Sequence, residues 1–289
     1  MKIWSLNSTV YCNKYPKIII IGPQKTGSTA LYTYLNLHPN LKSNNFIDET
    51  FEEPQFFTDR IYHNGINWYL NLFESNSTSI TFFEKSANYF TDKNAPIRIK
   101  KLIKNVKLIF ISINPIKRAY SWYQHMKFHN DTISIQYSFY DILTLNSKND
   151  STLKQMRHLR NRCLDPGIYS KHLKNWLKYF LAEQIIHIDG DALVKTPYEC
   201  LNELQNKISV ETQIDYKTIL KYNNKKGFFC VNNRNSIKCL GKNKGRVYPP
   251  IDTNSANYLN KFFKDSNKRF YNLLKKYNYV IPSWLKKEF

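Results

Sequence analysis

The stretch from Ile18 to Leu35 limits most strongly what this chain can fold into. The β-branched run at residues 18–21 is short enough to be a buried strand. It enters the loop Gly-Pro-Gln-Lys-Thr-Gly-Ser-Thr at residues 22–29, after which apolar residues recur at helical spacing. A strand, a glycine-containing turn and a helix gather backbone N–H groups and the positive end of a helix around one anion. The stretch therefore predicts a phosphate-type binding loop.

The position of the lysine separates this loop from a Walker A loop. Gly22 and Gly27 have the glycine separation of G-x-x-x-x-G-K-[ST], but Ser28 stands where the lysine belongs. Lys25 precedes the second glycine instead, which disfavours a nucleotide kinase and suits a 5′-phosphate donor with one transferable group. The alternative is an ordinary strand–helix turn with a chance lysine.

The rest of the chain predicts an α/β fold, P-loop-like, with three layers: a central parallel sheet flanked by helices. Apolar runs at 17–21, 106–113 and 184–188 indicate buried strands, and 81–85 reads as another short strand. No repeat or low-complexity linker divides the chain, so we expect a lead-in at 1–16 and one domain at 17–289. Helical patterns are predicted after the loop to about residue 37, from 96, from 115, at 136–145, 151–159, from 165, at 197–208 and 254–277.

The net charge of the chain limits the classes of molecule that it could bind but does not identify one. Lys and Arg number 43 against 22 Asp and Glu, a net charge of +21, which attracts nucleic acid, anionic membranes or acidic polysaccharides. No window approaches the roughly 18 apolar residues of a membrane span. The opening residues are too short and polar for a signal peptide. We therefore expect no membrane segment in this chain.

Two groups of polar residues are candidates for chemistry. Arg118, Ser121, Trp122 and His125 share one helical face after a predicted strand, where α/β sheets bind ligands. An arginine and a serine one turn apart suit a terminal phosphate, whereas a surface or core histidine remains the alternative for His125. The adjacent carboxylates at 52–53 precede two phenylalanines, and burial beside aromatic rings raises a carboxyl pKa towards that of a general base. A solvated acidic turn is the alternative there.

The cysteines and glycosylation sequons bear on the compartment. No C-x-x-C pair is present, so a zinc ribbon is disfavoured. Cys230 and Cys239 flank a polar loop and either close it as a disulfide or remain thiols. N-x-[ST] sequons agree with a secretory route but are common by chance in an Asn-rich chain. The other cysteines are Cys12, Cys163 and Cys200, and the sequons are at Asn7, Asn76, Asn130 and Asn149.

From about Lys17 onward the chain resembles the sulfotransferase domain of heparan sulfate N-deacetylase/N-sulfotransferases, which use 3′-phosphoadenosine 5′-phosphosulfate (PAPS). The resemblance keeps the order of the family's motifs and covers nearly the whole chain. It does not include the family's deacetylase region or membrane anchor, so the chain is either a fragment or a protein without them. The matching segments are 20–32, 52–57, 83–90, 114–115, 118–125, 161–164, 166–167, 225–228 and 239–242.

The resemblance implies transfer of a sulfuryl group from PAPS, without a metal, to the free amine of glucosamine in heparan sulfate, heparin or heparosan-type polysaccharide. Glu53 matches the catalytic base and Lys25 the group that stabilises the leaving nucleotide. His125 matches an assisting residue that, with Trp122, lies near the acceptor. The matching nucleotide ligands are Lys25, Thr26, Gly27, Ser28, Thr29, Arg118, Ser121, Phe229, Lys244, Gly245, Arg246, Val247 and Tyr248.

The resemblance also bears on affinity, compartment and alternatives. Phe229 stands where family members carry a tryptophan against the adenine, and phenylalanine can also stack. The resemblance implies a disulfide between Cys230 and Cys239, glycosylation and a location in the Golgi lumen. It does not imply a nucleic-acid partner. Two alternatives stay open: a glycan O-sulfotransferase with a hydroxyl acceptor, and an inactive polyanion-binding protein with the same fold.

Overall fold

The structure is a computed structural model that describes residues 15–48, 50, 52–75, 77, 79–210, 213–233, 236–239, 241 and 246–289. The predicted lead-in therefore lies outside the described residues except for Tyr15 and Pro16. The strands are β1 (Ile18–Gly22), β2 (Leu41–Ser43), β3 (Thr81–Lys85), β4 (Lys107–Ser112), β5 (Ile185–Asp189), β6 (Leu220–Asn223), β7 (Phe228–Asn233) and β8 (Ser236–Lys238).

The helices connect these strands or follow them in the chain. They are α1 (Ser28–Leu35), α2 (Gly65–Leu70), α3 (Ala95–Leu102), α4 (Pro115–Phe128), α5 (Thr132–Gln136), α6 (Phe139–Thr144), α7 (Asp150–Leu164), α8 (Tyr169–Trp176), α9 (Gly190–Lys195), α10 (Pro197–Ile208), α11 (Tyr216–Ile219), α12 (Thr253–Lys276) and α13 (Ser283–Lys286).

Contacts divide the chain into two compact units. The first contains residues up to 111 and 175–240, and the second contains 112–174 and 241–289. Both sheets belong to the first unit, apart from the last residue of β4. Helices α4 to α7, α12 and α13 belong to the second. The predicted boundaries at 1–16 and 17–289 stay a prediction.

The first unit is built on a five-stranded sheet in the order β2-β3-β1-β4-β5. Strand β1 pairs in parallel with both β3 and β4, with Ile18 opposite Phe83 and Lys107. The four isoleucines at 18–21 are at most 1% exposed, because both faces of a central parallel strand are covered. The predicted central parallel sheet flanked by helices is confirmed. Its central strand delivers the loop at 22–29 to the carboxyl edge of the sheet.

A second sheet in the first unit was not predicted. Strands β6, β7 and β8 form an antiparallel sheet in that order. A disulfide joins Cys230 and Cys239, as the resemblance implied, with sulfur atoms 2.16 Å apart. Cys163 is a buried free thiol and Cys200 is a half-buried one.

The second unit packs helices around an apolar core. Ala119 of α4, Ile142 of α6, Met156 of α7 and Phe263 of α12 are buried in one cluster. Helix α4 begins where predicted, because the Asn114 side chain accepts hydrogen bonds from the first-turn N–H groups at 116 and 117. Among the described residues, no helix is both long and apolar enough to cross a bilayer.

Sequence predictions of helix positions were close, with two corrections. The predicted strand at 81–85 and the helix at 197–208 are confirmed. The predicted helix at 136–145 is instead two short helices, because Ser138 forms a capping box with Asp141 and starts α6 afresh. The helix predicted from Asp165 is a 3-10 turn, Asp165–Gly167, followed by α8.

Candidate active site

The first unit holds the predicted anion loop, and its backbone conformation requires glycine at its start. Gly22 has a φ of +103°, and a Cβ there would lie 2.2 Å from the carbonyl oxygen of Ala87. A side chain is therefore excluded by sterics as well as by the left-handed backbone. The Gly22–Pro23 peptide is cis. The close approach of Gly22 to Ala87 places the loop against the segment that follows β3.

The loop then leads directly into helix α1. Lys25 has a φ of +68°, a left-handed backbone conformation that is uncommon for residues other than glycine. Such conformations are found most often at functional sites. The Thr26 hydroxyl donates to the carbonyl oxygen of Pro23 at 2.7 Å. Gly27 caps α1 without a side-chain hydrogen bond, and no acidic residue lies in the first turn. The eight-residue helix therefore presents its positive end without a side-chain acceptor.

A buried lysine bridges the two adjacent carboxylates of the predicted acidic site. Lys85 Nζ lies 2.7 Å from Glu52 Oε1 and 2.7 Å from Glu53 Oε1. The Lys85 side chain is 1% exposed, against 15% for Glu53 and 28% for Glu52. Because one cation offsets two neighbouring negative charges, both carboxylates can occupy one partly buried site.

The same carboxylate pair is joined to the anion loop. Glu53 Oε2 accepts a hydrogen bond from the backbone N–H of Ala87 at 3.2 Å, and Ala87 is the residue packed against Gly22. Thr29 Oγ1 donates to Glu52 Oε1 at 3.5 Å. The structure therefore brings the predicted base and the predicted phosphosulfate loop together within the first unit.

The segment carrying Glu53 rests on a buried aromatic and polar network. Phe56 stacks on Tyr69 with ring centroids 4.6 Å apart. The Tyr69 hydroxyl donates to Glu84 Oε2 at 2.5 Å, and the Tyr89 hydroxyl accepts from the Phe57 N–H at 3.2 Å. Burial raises the pKa of Glu84 to about 7. These contacts hold the backbone that follows the carboxylate pair.

Two residues of this network received no role from the sequence alone. Lys85 and Glu84 end strand β3, and both are charged residues at the end of an apolar run. Charge at the carboxyl end of a predicted parallel strand is the signal that would have marked them as candidates. The partners of Lys85 at 52–53 lie more than thirty residues away in the chain, so local patterns could not have paired them. The partner of Glu84 is Tyr69, which lies on a different element.

The second unit holds the predicted 3′-phosphate residues of α4. Arg118 is fully buried, and its Nη2 donates to the carbonyl oxygens of Arg162 at 2.8 Å and Cys163 at 2.5 Å. Burial lowers the pKa of Arg118. Ser121 is half-buried one turn further along the helix. Arg118 therefore also ties α4 to the end of α7, which is a structural role that the sequence did not show.

Trp122 and His125, the predicted acceptor residues, are in contact on the same helix. Their ring centroids lie 5.4 Å apart, and His125 also packs edge-on against His129 at 4.4 Å. Trp122 is 8% exposed. The Arg162 guanidinium lies 4.5 Å from the centre of the indole ring. The expected clustering is confirmed, whereas the acceptor role stays a prediction.

Arg246 shows an unusual environment within the second unit. Its guanidinium lies 3.5 Å from the centre of the Phe128 ring. Its Nε, Nη1 and Nη2 atoms are buried and have no hydrogen-bond partner in the described part of the chain. Val247 is 97% exposed, and Tyr248 packs against Tyr120 with centroids 6.4 Å apart. The predicted ligands Lys244 and Gly245 lie outside the described residues.

Phe229, the predicted adenine platform, belongs to the first unit. It lies on β7 and packs against Tyr222 and Tyr198, with centroids 5.3 and 6.1 Å apart. Its carbonyl oxygen accepts a hydrogen bond from the Tyr34 hydroxyl of α1 at 3.1 Å. This hydrogen bond attaches Phe229 of β7 to α1, the helix that follows the predicted anion loop. The stacking role stays a prediction.

Remaining predictions concern metal and glycosylation. Within the described ranges, no group of three or more His, Cys, Asp and Glu side chains has a metal-binding arrangement. Asn130 is exposed, and Asn149 is exposed and caps α7 by accepting from the Thr152 N–H. The sequons at Asn7 and Asn76 lie outside the described residues.

Solved structures with this fold are sulfotransferases. The sulfotransferase from Alicyclobacillus acidocaldarius superposes with a TM-score of 0.68 at 18% identity, over 93% of this chain and 98% of that chain. A mouse sulfotransferase complexed with PAP gives a TM-score of 0.51 at 14% identity, over 91% of this chain and 88% of that chain. At such identities the likeness shows the fold. These likenesses define an α/β protein with the P-loop-like fold.

The family model of the sulfotransferase domain matches residues 15–274. The chain therefore belongs to the sulfotransferase domain family. It is 44% identical over 289 residues to the mouse bifunctional heparan sulfate N-deacetylase/N-sulfotransferase 1 and 44% identical over 301 residues to the Drosophila melanogaster bifunctional enzyme. The match covers 99% of this chain but only 32% and 28% of those relatives.

Proposed function

We propose that this chain transfers the sulfuryl group of PAPS to the free amine of glucosamine units in a heparan sulfate or heparin-type polysaccharide. The observation that carries the proposal is the Lys85-bridged carboxylate pair, which is hydrogen-bonded to the segment packed against the anion loop. A proton acceptor beside an anion site is what transfer from an anionic donor to an amine requires. The relatives named above act on heparan sulfate according to their names.

The loop fits the 5′ end of the donor. PAPS supplies a sulfuryl group on a 5′-phosphate, and a helix N-terminus with an open cap suits such an anion. Lys25 and the hydroxyls of Ser28 and Thr29 add donors there. We assign to Lys25 the stabilisation of negative charge on the oxygen that leaves with the nucleotide. Since a sulfuryl group carries less charge than a phosphoryl group, the proposal involves no metal.

Glu53 is proposed as the base. Of the two carboxylates, it is the less exposed and the one hydrogen-bonded to the Ala87 N–H. We infer that Glu53 takes a proton from the attacking amine as nitrogen bonds to sulfur and the sulfur–oxygen bond to the nucleotide breaks. Lys85 orients the carboxylate and lowers the repulsion between Glu52, Glu53 and an approaching anion. His125 is proposed to assist in the transition state.

The 3′-phosphate is proposed to bind to residues of the second unit. The buried nitrogens of Arg246 have no hydrogen-bond partner in the described part of the chain, and a phosphate oxygen is the strongest acceptor such donors can have. We assign Ser121, Arg118 and the segment 244–248 to the same group, and Phe229 to the adenine. Trp122 and His125 are assigned to the acceptor sugar.

Partner and compartment follow from charge and covalent chemistry. A net charge of +21 favours an acidic polysaccharide such as heparan sulfate or heparosan, and the proposal includes no nucleic-acid partner. The disulfide between Cys230 and Cys239 agrees with an oxidising compartment. Together with the proposed activity in heparan sulfate biosynthesis, this leads us to propose that the protein acts in the Golgi lumen.

The test is transfer of radiolabelled sulfate from PAPS to de-N-acetylated heparosan, beside fully N-acetylated heparosan. Lys25→Ala removes the proposed charge at the leaving oxygen, and Lys93→Ala removes one exposed positive charge from the same unit as a matched control. We expect label only on the free-amine polymer, a loss of about 100-fold or more in Lys25→Ala, and full activity in Lys93→Ala.

The other outcomes have definite meanings. Equal labelling of both polymers would move the assignment to a glycan O-sulfotransferase with a hydroxyl acceptor. No label on either polymer, together with retained heparin binding, would indicate an inactive polyanion-binding protein. Loss of activity in both lysine variants would remove Lys25 from the proposed mechanism.

A further inference from the structure

A cavity of about 570 Å³ lies in the second unit, apart from the residues assigned to the donor. Its walls come from α4, from the turn before α5 and from α7. The polar residues that line it are Trp122, Asp131, Ser151, Lys154, Gln155 and His158, with Arg162 at one end of the same helix stripe. Cavities of about 300–1,000 Å³ hold ligands the size of one or two sugar rings.

The α7 wall is a stripe of polar side chains. Lys154, His158 and Arg162 follow one another at spacings of four residues, so they share one face of the helix. Lys154, Gln155 and His158 are exposed. The helix is anchored to the core by other residues, among them Met156 and Cys163, which are fully buried.

The α4 wall offers a buried donor. Trp122 is 8% exposed, and its Nε1–H is buried without a hydrogen-bond partner among the residues that the structure describes. A buried unsatisfied N–H costs free energy, and a hydroxyl or carboxylate oxygen is the acceptor it lacks. Because His125 contacts the same indole ring, the cavity borders the residue proposed to assist in catalysis.

The charges of the lining suit an acidic sugar. Lys154 and Arg162 supply two cations, and Gln155 and His158 add further hydrogen-bonding groups. The one carboxylate, Asp131, already accepts a hydrogen bond from the Ser134 N–H at 2.9 Å, where it caps α5. A carboxylate with neighbouring hydroxyl groups, as in a uronic acid, matches this mixture of donors and acceptors.

We propose that this cavity is a binding subsite for a uronate-bearing segment of the acceptor polysaccharide, next to the reacting glucosamine. Lys154 and Arg162 bind the carboxylate, and the Trp122 N–H and Gln155 bind ring hydroxyls. The inference rests on the proposed function, since it assigns the acceptor chain a place beside Trp122. It extends that function by naming α7 as the element that recognises sugars beyond the reacting one.

The experiment compares two charge reversals on α7. Lys154→Glu changes the cavity wall, and Arg157→Glu makes the same change of charge at an exposed position that does not line the cavity. Binding of a de-N-acetylated heparosan octasaccharide is measured by calorimetry in the presence of PAP, so the readout does not depend on turnover. We expect Lys154→Glu to weaken binding about tenfold or more and Arg157→Glu less than about twofold.

Acceptor length supplies the second readout. A glucosamine derivative without a neighbouring uronate does not reach the subsite, so its KM should be equal in both variants. The KM for PAPS should also be unchanged, and thermal unfolding should show both variants folded. Equal weakening by the two substitutions, or no weakening by Lys154→Glu, would overturn the subsite. If wild-type protein binds the octasaccharide but transfers no sulfate to amines, the proposed function fails while the binding comparison still decides the subsite.

Discussion

Glu84 gives the stability of this protein a pH dependence that can be worked out from the structure. Its carboxyl group is fully buried and accepts a hydrogen bond from Tyr69, and burial raises its pKa from 4.5 to about 7. The folded state therefore keeps the proton between pH 4.5 and about 7, whereas the unfolded state loses it. Ionisation favours the unfolded state over this range, so the contribution of Glu84 to stability is complete below pH 4.5 and is lost as the pH rises through 7.

The size of the effect follows from the two pKa values. The difference between 4.5 and about 7 corresponds to about 3 kcal/mol, at about 1.4 kcal/mol per pKa unit. Glu84→Gln keeps the shape and an acceptor oxygen for Tyr69 but removes the ionisation. We expect the variant and the wild-type protein to have similar unfolding free energies near pH 5. Near pH 8 the variant should be more stable by about 3 kcal/mol.

The measurement is urea unfolding followed by tryptophan fluorescence at pH 5, 6, 7 and 8. Other titrating groups are common to both proteins, so the difference between their unfolding free energies isolates Glu84. Glu74→Gln makes the same chemical change at an exposed position and serves as the matched control. Parallel curves for Glu84→Gln and the wild-type protein across this range would refute the argument that Glu84 folds in its protonated form.

Two further substitutions test the contacts that shape the site. Gly22→Ala should destabilise the fold by about 3 kcal/mol or more in denaturant unfolding, because its Cβ would lie 2.2 Å from the Ala87 oxygen. Gly241→Ala, where nothing lies within 4 Å of the added carbon, should leave stability nearly unchanged, and equal effects would contradict the argument. Lys85→Met should cost about 2 kcal/mol by leaving two carboxylates uncompensated, and it should weaken binding of PAP measured by calorimetry. Unchanged PAP affinity in a folded Lys85→Met protein would separate the lysine from the donor site.

The sequence predicts best what is local in the chain. The isoleucines at 18–21 and the loop that follows them mark a buried strand and an anion site, because the hydrophobic period and the glycines act within a few residues. The site contacts that the sequence missed join distant segments. Lys85 meets the carboxylates at 52–53, and Arg118 meets carbonyl oxygens beyond residue 160. The periodicity of hydrophobic residues in the sequence contains no information about such long-range pairs.

The antiparallel sheet of β6, β7 and β8 was missed for a related reason. Its strands are short, and β6 alternates apolar residues with Lys221 and Asn223, so the hydrophobic pattern of that strand is weak. The disulfide from Cys230 to Cys239 supplies a covalent contact where apolar burial is limited. Cysteine spacing marked this hairpin, while strand propensity alone did not.

Lys85 explains how a base can work beside an anionic donor. Two adjacent carboxylates next to a phosphosulfate loop would repel the donor, and that repulsion grows as water is excluded. In the proposed mechanism, Lys85 offsets one of the two charges, and because its side chain is only 1% exposed it leaves room for the donor and the acceptor. In the proposed mechanism, Lys25 of the loop then acts beside a carboxylate pair whose remaining charge is that of one base. The arrangement predicts that Lys25 and Lys85 have distinct effects: loss of Lys25 should lower kcat with bound donor, whereas loss of Lys85 should act first on donor affinity.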